Sequence, residues 1–142
     1  MRTFDCNCFS GNWPFHHVRT NTPGLMLEKH RKAGIDGGLM SSLEAIFYED
    51  SWEADSRLSE KLSGTPYLHA QTINPLHPGW ESMLLSGVKS GIRAVKIFPG
   101  FHGYQLNDPH LQTLCDALIQ YNLPLVINLR MEDNRITYMF HP

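Results

Sequence analysis

At 142 residues the chain has the length of one domain and is long enough to bury a core. Its 42% hydrophobic and 18% charged content fits a globular chain and excludes a disordered one. A net charge of -2 gives no electrostatic footprint for nucleic acid or an anionic membrane, and no apolar run is long enough to span a bilayer.

The opening stretch MRTFDCNCFSG has no apolar h-region and meets Asp5 early, so no secretory signal and a cytoplasmic location are expected. Residues 3–8 read as a strand. Asn21-Thr22-Pro23 then supplies a helix cap with proline in the first turn, and the helix runs to about Ala33, before Gly34. A second strand is expected over 36–42 and a helix over 51–63, the latter carrying Trp52, Leu58 and Leu62. The third strand covers 67–74. Its helix, 79–90, places Trp80, Leu84 and Val88 at spacings of four. A fourth strand follows at 92–99. Asp108-Pro109 caps a helix with Leu111, Leu114, Cys115, Leu118 and Ile119 on one stripe, and residues 123–130 form a fifth strand.

One βα unit about every thirty residues predicts a parallel sheet with helical crossovers. Two folds fit this (βα)₄β pattern within a single domain, 1–142. One is a self-contained flavodoxin-like doubly wound sheet; the other is the N-terminal half of a (β/α)₈ TIM barrel. Asp5, Asn7, His69, Gln71, Lys96, Asn128 and Arg130 fall on alternate strand positions, with apolar residues between them. Central strands covered by helices on both faces would read as continuous apolar runs, so the alternation favours a barrel with a polar lumen. The ending FHP, without a fifth helix, reads as an interruption, and a half barrel with unpaired edges is expected to self-associate. Three cysteines make no disulfide framework. Cys6 and Cys8, expected on one strand face, and Cys115 read as buried small hydrophobes in a reducing compartment.

In such a barrel the chemistry lies at the C-terminal strand ends and in the loops after them. His16 and His17 follow strand one behind Trp13-Pro14-Phe15, which reads as packing at the barrel mouth. Asn74 and His77 follow strand three, His102 and Tyr104 strand four, and Arg130, Glu132, Asp133, Arg135 and His141 strand five. Lys96 has two readings: an ion pair with Asp5 or Glu132 inside the lumen, or a catalytic or substrate-binding lysine. Gly100 and Gly103 shape a tight loop around His102. Arg130 has the parity of Asn128 and suits a carboxylate clamp, and Asp133 or Glu132 suits a general base or a hard-metal ligand. His69 reads as a core histidine facing the lumen, and His30 and His110 as surface residues.

The opening strand with Asp5, GIDGGLMSS (34–42), INPLHPGW (73–80), GIRAVKIFP (91–99) and LPLVINLR (123–130) together resemble the amidohydrolase superfamily. The similarity lies in its amidohydrolase-related branch of decarboxylases, lactonases and other metal-dependent hydrolases, and covers the N-terminal half of that barrel. The resemblance implies a hydrolase or decarboxylase acting on a small carboxylated or sugar-like substrate. It also implies a metal bound by a first-strand Asp-x-His-x-His, by a histidine of strand five and, in some branches, by a carboxylated lysine matching Lys96. Here Asn7 and Phe9 stand at the first-strand histidine positions and Asn128 at that of strand five. Asparagine is a poor transition-metal ligand and phenylalanine is none. The centre is therefore expected to be absent, or rebuilt around Zn or Mn from His102, Asp133 and His141. The expected catalytic residues are Lys96, His102 and Asp133, and the expected substrate contacts Asn7, Asn128, Arg130 and Tyr104. The alternative is a catalytically degenerate barrel that binds a small molecule or a protein partner.

Overall fold

The computed structural model describes residues 2–131. Five strands, β1 (Phe4–Ser10), β2 (Gly37–Ser42), β3 (Tyr67–Thr72), β4 (Ala94–Ile97) and β5 (Leu125–Ile127), alternate with helices α1 (Pro23–Lys32), α2 (Ser51–Leu62), α3 (Trp80–Ser90) and α5 (Pro109–Tyr121). Two short elements punctuate the loops, a 3₁₀ turn at Glu44–Ile46 and α4 (Pro99–His102). Periodicity has too few residues to register at either.

The helix starts follow the capping chemistry of the sequence. Thr22 accepts from the Leu25 N–H, Asp50 from Trp52 and Asp108 from His110, and Pro23 and Pro109 sit in first turns where a missing N–H is harmless. The helix α5 ends at Asn122, the only described non-glycine residue with positive φ (53°), a conformation asparagine tolerates.

All strand pairings are parallel and the order is β1-β2-β3-β4-β5, so each helix is a crossover between neighbours. One face packs against helices. Cys8, Met40 and Tyr67 meet Leu58 and Leu62, while Val95 and Ile97 meet Leu84, Leu111, Leu114 and Leu118. The other face carries Leu39, Ala70 and Ala94 with Val126 beside them. The Lys96 Nζ, on β4, reaches carbonyls on both β1 and β2. In a flat sheet β1 and β4 would lie about 14 Å apart, beyond a lysine's reach, so the sheet curls around this second, inner face.

Several expected orientations differ, for one main reason. The register passes from Asp5↔Gly38 to Cys8↔Met40, so β1 holds one more residue than β2 and bulges there. A bulge reverses the side-chain alternation. Beyond it Phe9 turns inward, Cys8 joins the helix-facing core, and Cys6 is exposed rather than buried. Asp5 pairs with His30 of α1 (3.3 Å) and not with Lys96; His30 is correspondingly buried and meets the Tyr67 hydroxyl at 3.1 Å. On β3 the inward parity belongs to Ala70 and Thr72. His69 instead reaches Asp55 of α2 (3.4 Å), and Gln71 donates to the Met83 carbonyl of α3 (2.8 Å). Helices accept buried polar groups here because they offer partners: Gly87 leaves the room that Gln71 fills. His110 is a surface residue, as expected, and pairs with Asp108.

Candidate functional site

Lys96 lies on the inner face and is 0% exposed. Its Nζ donates to the Cys8 and Leu39 carbonyls, each at 3.2 Å, and sits 4.4 Å from the centre of the Phe9 ring. Burial lowers its pKa from 10.5 to about 8, against the opposing pull of Cys8 and Asp5.

Around this ammonium the inner face is polar. Thr72 is the register partner of Lys96 on β3, Ser41 on β2 is the register partner of Phe9, and Asn128 extends β5 by donating its N–H to Ile97 O (3.0 Å). The side chains of Ser41, Thr72 and Asn128 are all buried. Ser41 Oγ, Thr72 Oγ1 and Asn128 Nδ2 have no hydrogen-bond partner among the described residues. A buried polar group left open in this way is costly, and such groups normally meet water or a ligand.

Thr72 is held rigidly from behind. Its N–H donates to Asp55 Oδ2 (2.7 Å) and its carbonyl accepts from Ser51 Oγ (2.8 Å). Asp55 is wholly buried. Burial raises its pKa, and the hydrogen bond and charge of His69 act in the opposite direction.

His102 closes α4 at the C-terminal side of the sheet. A carbonyl only accepts, so the contact with Ile46 O at 3.0 Å makes Nε2 the donor and leaves Nδ1 an acceptor. That Nδ1 is buried without a described partner. The ring stacks on Tyr104 and meets the Phe98 ring edge-on. Burial lowers its pKa, so the imidazole is neutral near neutral pH. His102, His77, Asn74, Ser51 and Met83 line a cleft of about 250 Å³ beside the 45–49 segment. His77 Nδ1 is also buried without a described partner.

The expected site residues therefore separate. Lys96 and Asn128 share the inner face with Ser41 and Thr72, which sequence reading did not single out. His102 and Tyr104 stack together, and the buried Tyr104 hydroxyl, its pKa raised by burial, has no described partner. Asn7 is exposed beside the β1 bulge and lines a groove with His30 and Lys29, and Arg130 is exposed beyond β5. Asp133 and His141, with Glu132 and Arg135, lie outside the described residues.

The residues do not fit the metal centre that the resemblance implies. Phe9 lays its ring over Lys96 Nζ, Asn7 is exposed at the bulge, and no group of three His, Cys, Asp or Glu among the described residues is placed to hold a metal ion.

Fold and site together define a mixed α/β protein built from βα repeats, with an all-parallel curled sheet and a polar inner face. No family model and no curated protein matches the chain. Among the described residues no helix is long and apolar enough to cross a membrane.

Proposed function

We propose that the chain is the N-terminal part of an amidohydrolase-like (β/α)₈ barrel whose mouth binds and hydrolyses a small carboxylated or sugar-like substrate. The barrel reading is favoured over the flavodoxin-like one by the sequential strand order. A doubly wound sheet reverses direction at its switch point and covers both faces with helices. The observation that carries the function is the set of open, buried polar atoms on three strands, Ser41 Oγ, Thr72 Oγ1 and Asn128 Nδ2. Two hydroxyls and an amide N–H are the donors that a carboxylate or a sugar hydroxyl needs in place of water.

His102 supplies the base. With Nε2–H fixed on the Ile46 carbonyl, its open Nδ1 takes a proton from the attacking water as oxygen bonds to the acyl carbon. The same proton then passes to the leaving group as the old bond breaks.

The test is turnover of ester, lactone and amide panels by the purified chain. Activity lost in His102→Ala, with substrate binding weakened in Asn128→Ala, supports the reading; activity that persists in His102→Ala overturns the assigned base. A second reading, binding without catalysis, is favoured by the Lys96 cage and by Asn7 and Phe9 at the histidine positions. It predicts ligand affinity with no turnover above background.

The cytoplasmic reading rests on three free cysteines. Self-association is proposed from the outer edges of β1 and β5, which have no strand partner among the described residues, together with exposed Ile119, Ile127 and Leu129. Light scattering checks it: the chain is expected to exceed its monomer mass of 16.2 kDa.

A further inference from the structure

We propose that the inner face contains a binding site for a small primary alkylammonium ion, and that the chain's own Lys96 is its resident occupant. The site is made of neutral acceptors alone. Two backbone carbonyls, Cys8 O and Leu39 O, accept from Nζ at 3.2 Å, and the face of Phe9 covers it at 4.4 Å. Among the described residues no carboxylate forms an ion pair with it.

The β1 bulge builds this cage. Asp5 pairs with Gly38 and Cys8 with Met40, so Leu39 lies opposite the irregular stretch and the regular β1–β2 ladder is interrupted beside both carbonyls. The same extra residue turns Phe9 inward, where a regular strand would have sent it toward the helices. A parallel ladder normally uses its carbonyls on neighbouring N–H groups, and beside the bulge two of them accept from an ammonium.

The chemistry selects the ion. Carbonyl dipoles and an aromatic quadrupole suit a singly charged, hydrogen-bonding cation of ammonium size. A divalent ion demands anionic or imidazole ligands and finds neither among these three groups. The cage is distinct from the open polar atoms assigned to substrate, and it stands whether or not the chain is a hydrolase.

Lys96→Ala removes Cγ, Cδ, Cε and Nζ, a volume with the shape of n-propylammonium. Adding n-propylammonium to this variant is expected to raise its melting temperature by roughly 2–4 °C, or to allow it to fold where it otherwise does not. Wild type should be unmoved, and 1-propanol, of similar size but uncharged, should give a much smaller shift. Equal rescue by 1-propanol, an equal shift in wild type, or no rescue of a folded variant overturns the proposal. If Lys96→Ala folds under neither condition, Phe9→Leu decides the matter in the full chain carrying ¹³Cε-labelled lysine. The Lys96 titration midpoint should fall below its value of about 8 when the aromatic face is lost. A midpoint that stays or rises contradicts an aromatic wall for the cation.

Discussion

Lys96 and the mouth residues are both buried and polar, yet their hydrogen-bond states differ. Lys96 is held by two carbonyls and an aromatic face, and Asp55 by Thr72 N–H and His69. Ser41, Thr72 and Asn128 each retain an open side-chain atom, and His102 and His77 an open ring nitrogen. A group whose capacity is filled from within the chain defines the fold. Groups left open on the inner face and beside the cleft are placed to meet a molecule from outside, whereas His69 Nδ1 and Gln71 Oε1, also without a described partner, belong to residues that face the helices.

The comparison breaks most visibly at His102. Replacing it with alanine should lower kcat/KM by about 10²- to 10⁴-fold, measured on whichever substrate the panels identify, with little change in KM. The filled groups should instead show their effect in stability. Asp55→Ala leaves His69 and the Thr72 N–H without their carboxylate and should cost roughly 3–5 kcal/mol in urea denaturation.

Lys96 sharpens the contrast through pH. Its pKa is lowered on folding from 10.5 to about 8, so between those values the unfolded chain binds more protons than the folded one. Lys96 therefore contributes stability that rises with pH across that window, by roughly 3 kcal/mol in total and absent below it. Cys8, pushed up from 9.0 to about 12 by burial, contributes the opposite slope above pH 9. Lys96→Met should remove the Lys96 component of this slope, checked by comparing melts of the two chains from pH 7 to 10.5. The smallest expected effect is Thr72→Val. Because that hydroxyl lacks a described partner, its loss should change stability by no more than about 1 kcal/mol while weakening ligand binding, a pairing that calorimetry can read.

The repeating βα units and the helix caps were legible because each rests on local chemistry: Thr22-Pro23 and Asp108-Pro109 cap helices wherever they occur. The polar alternation on the strands was legible as a pattern but not as a direction. A one-residue bulge in β1 has no mark in the composition of Asp5–Cys8, yet it puts Asp5 and Phe9 on opposite faces, Asp5 on His30 and Phe9 on Lys96. On β3 the outward partners of His69 and Gln71 lie on α2 and α3, contacts across fourteen and twelve residues that no short-range period encodes. Ser41 and Thr72 escaped notice for another reason. Small hydroxyl residues in a strand are ordinary, and only the missing partner makes them informative.

The central claim is that the open atoms of the mouth and inner face receive a small polar substrate. The most direct measurement is an NMR titration of the chain with small hydroxycarboxylates such as glycolate and gluconate, following the Asn128 side-chain amide and the His102 imidazole. The account predicts saturable shifts at both, with the His102 shift weakened by Asn128→Ala and both shifts weakened by Thr72→Val. Resonances that stay fixed at both residues up to ligand saturation of the solution, in a chain that remains folded, would contradict it.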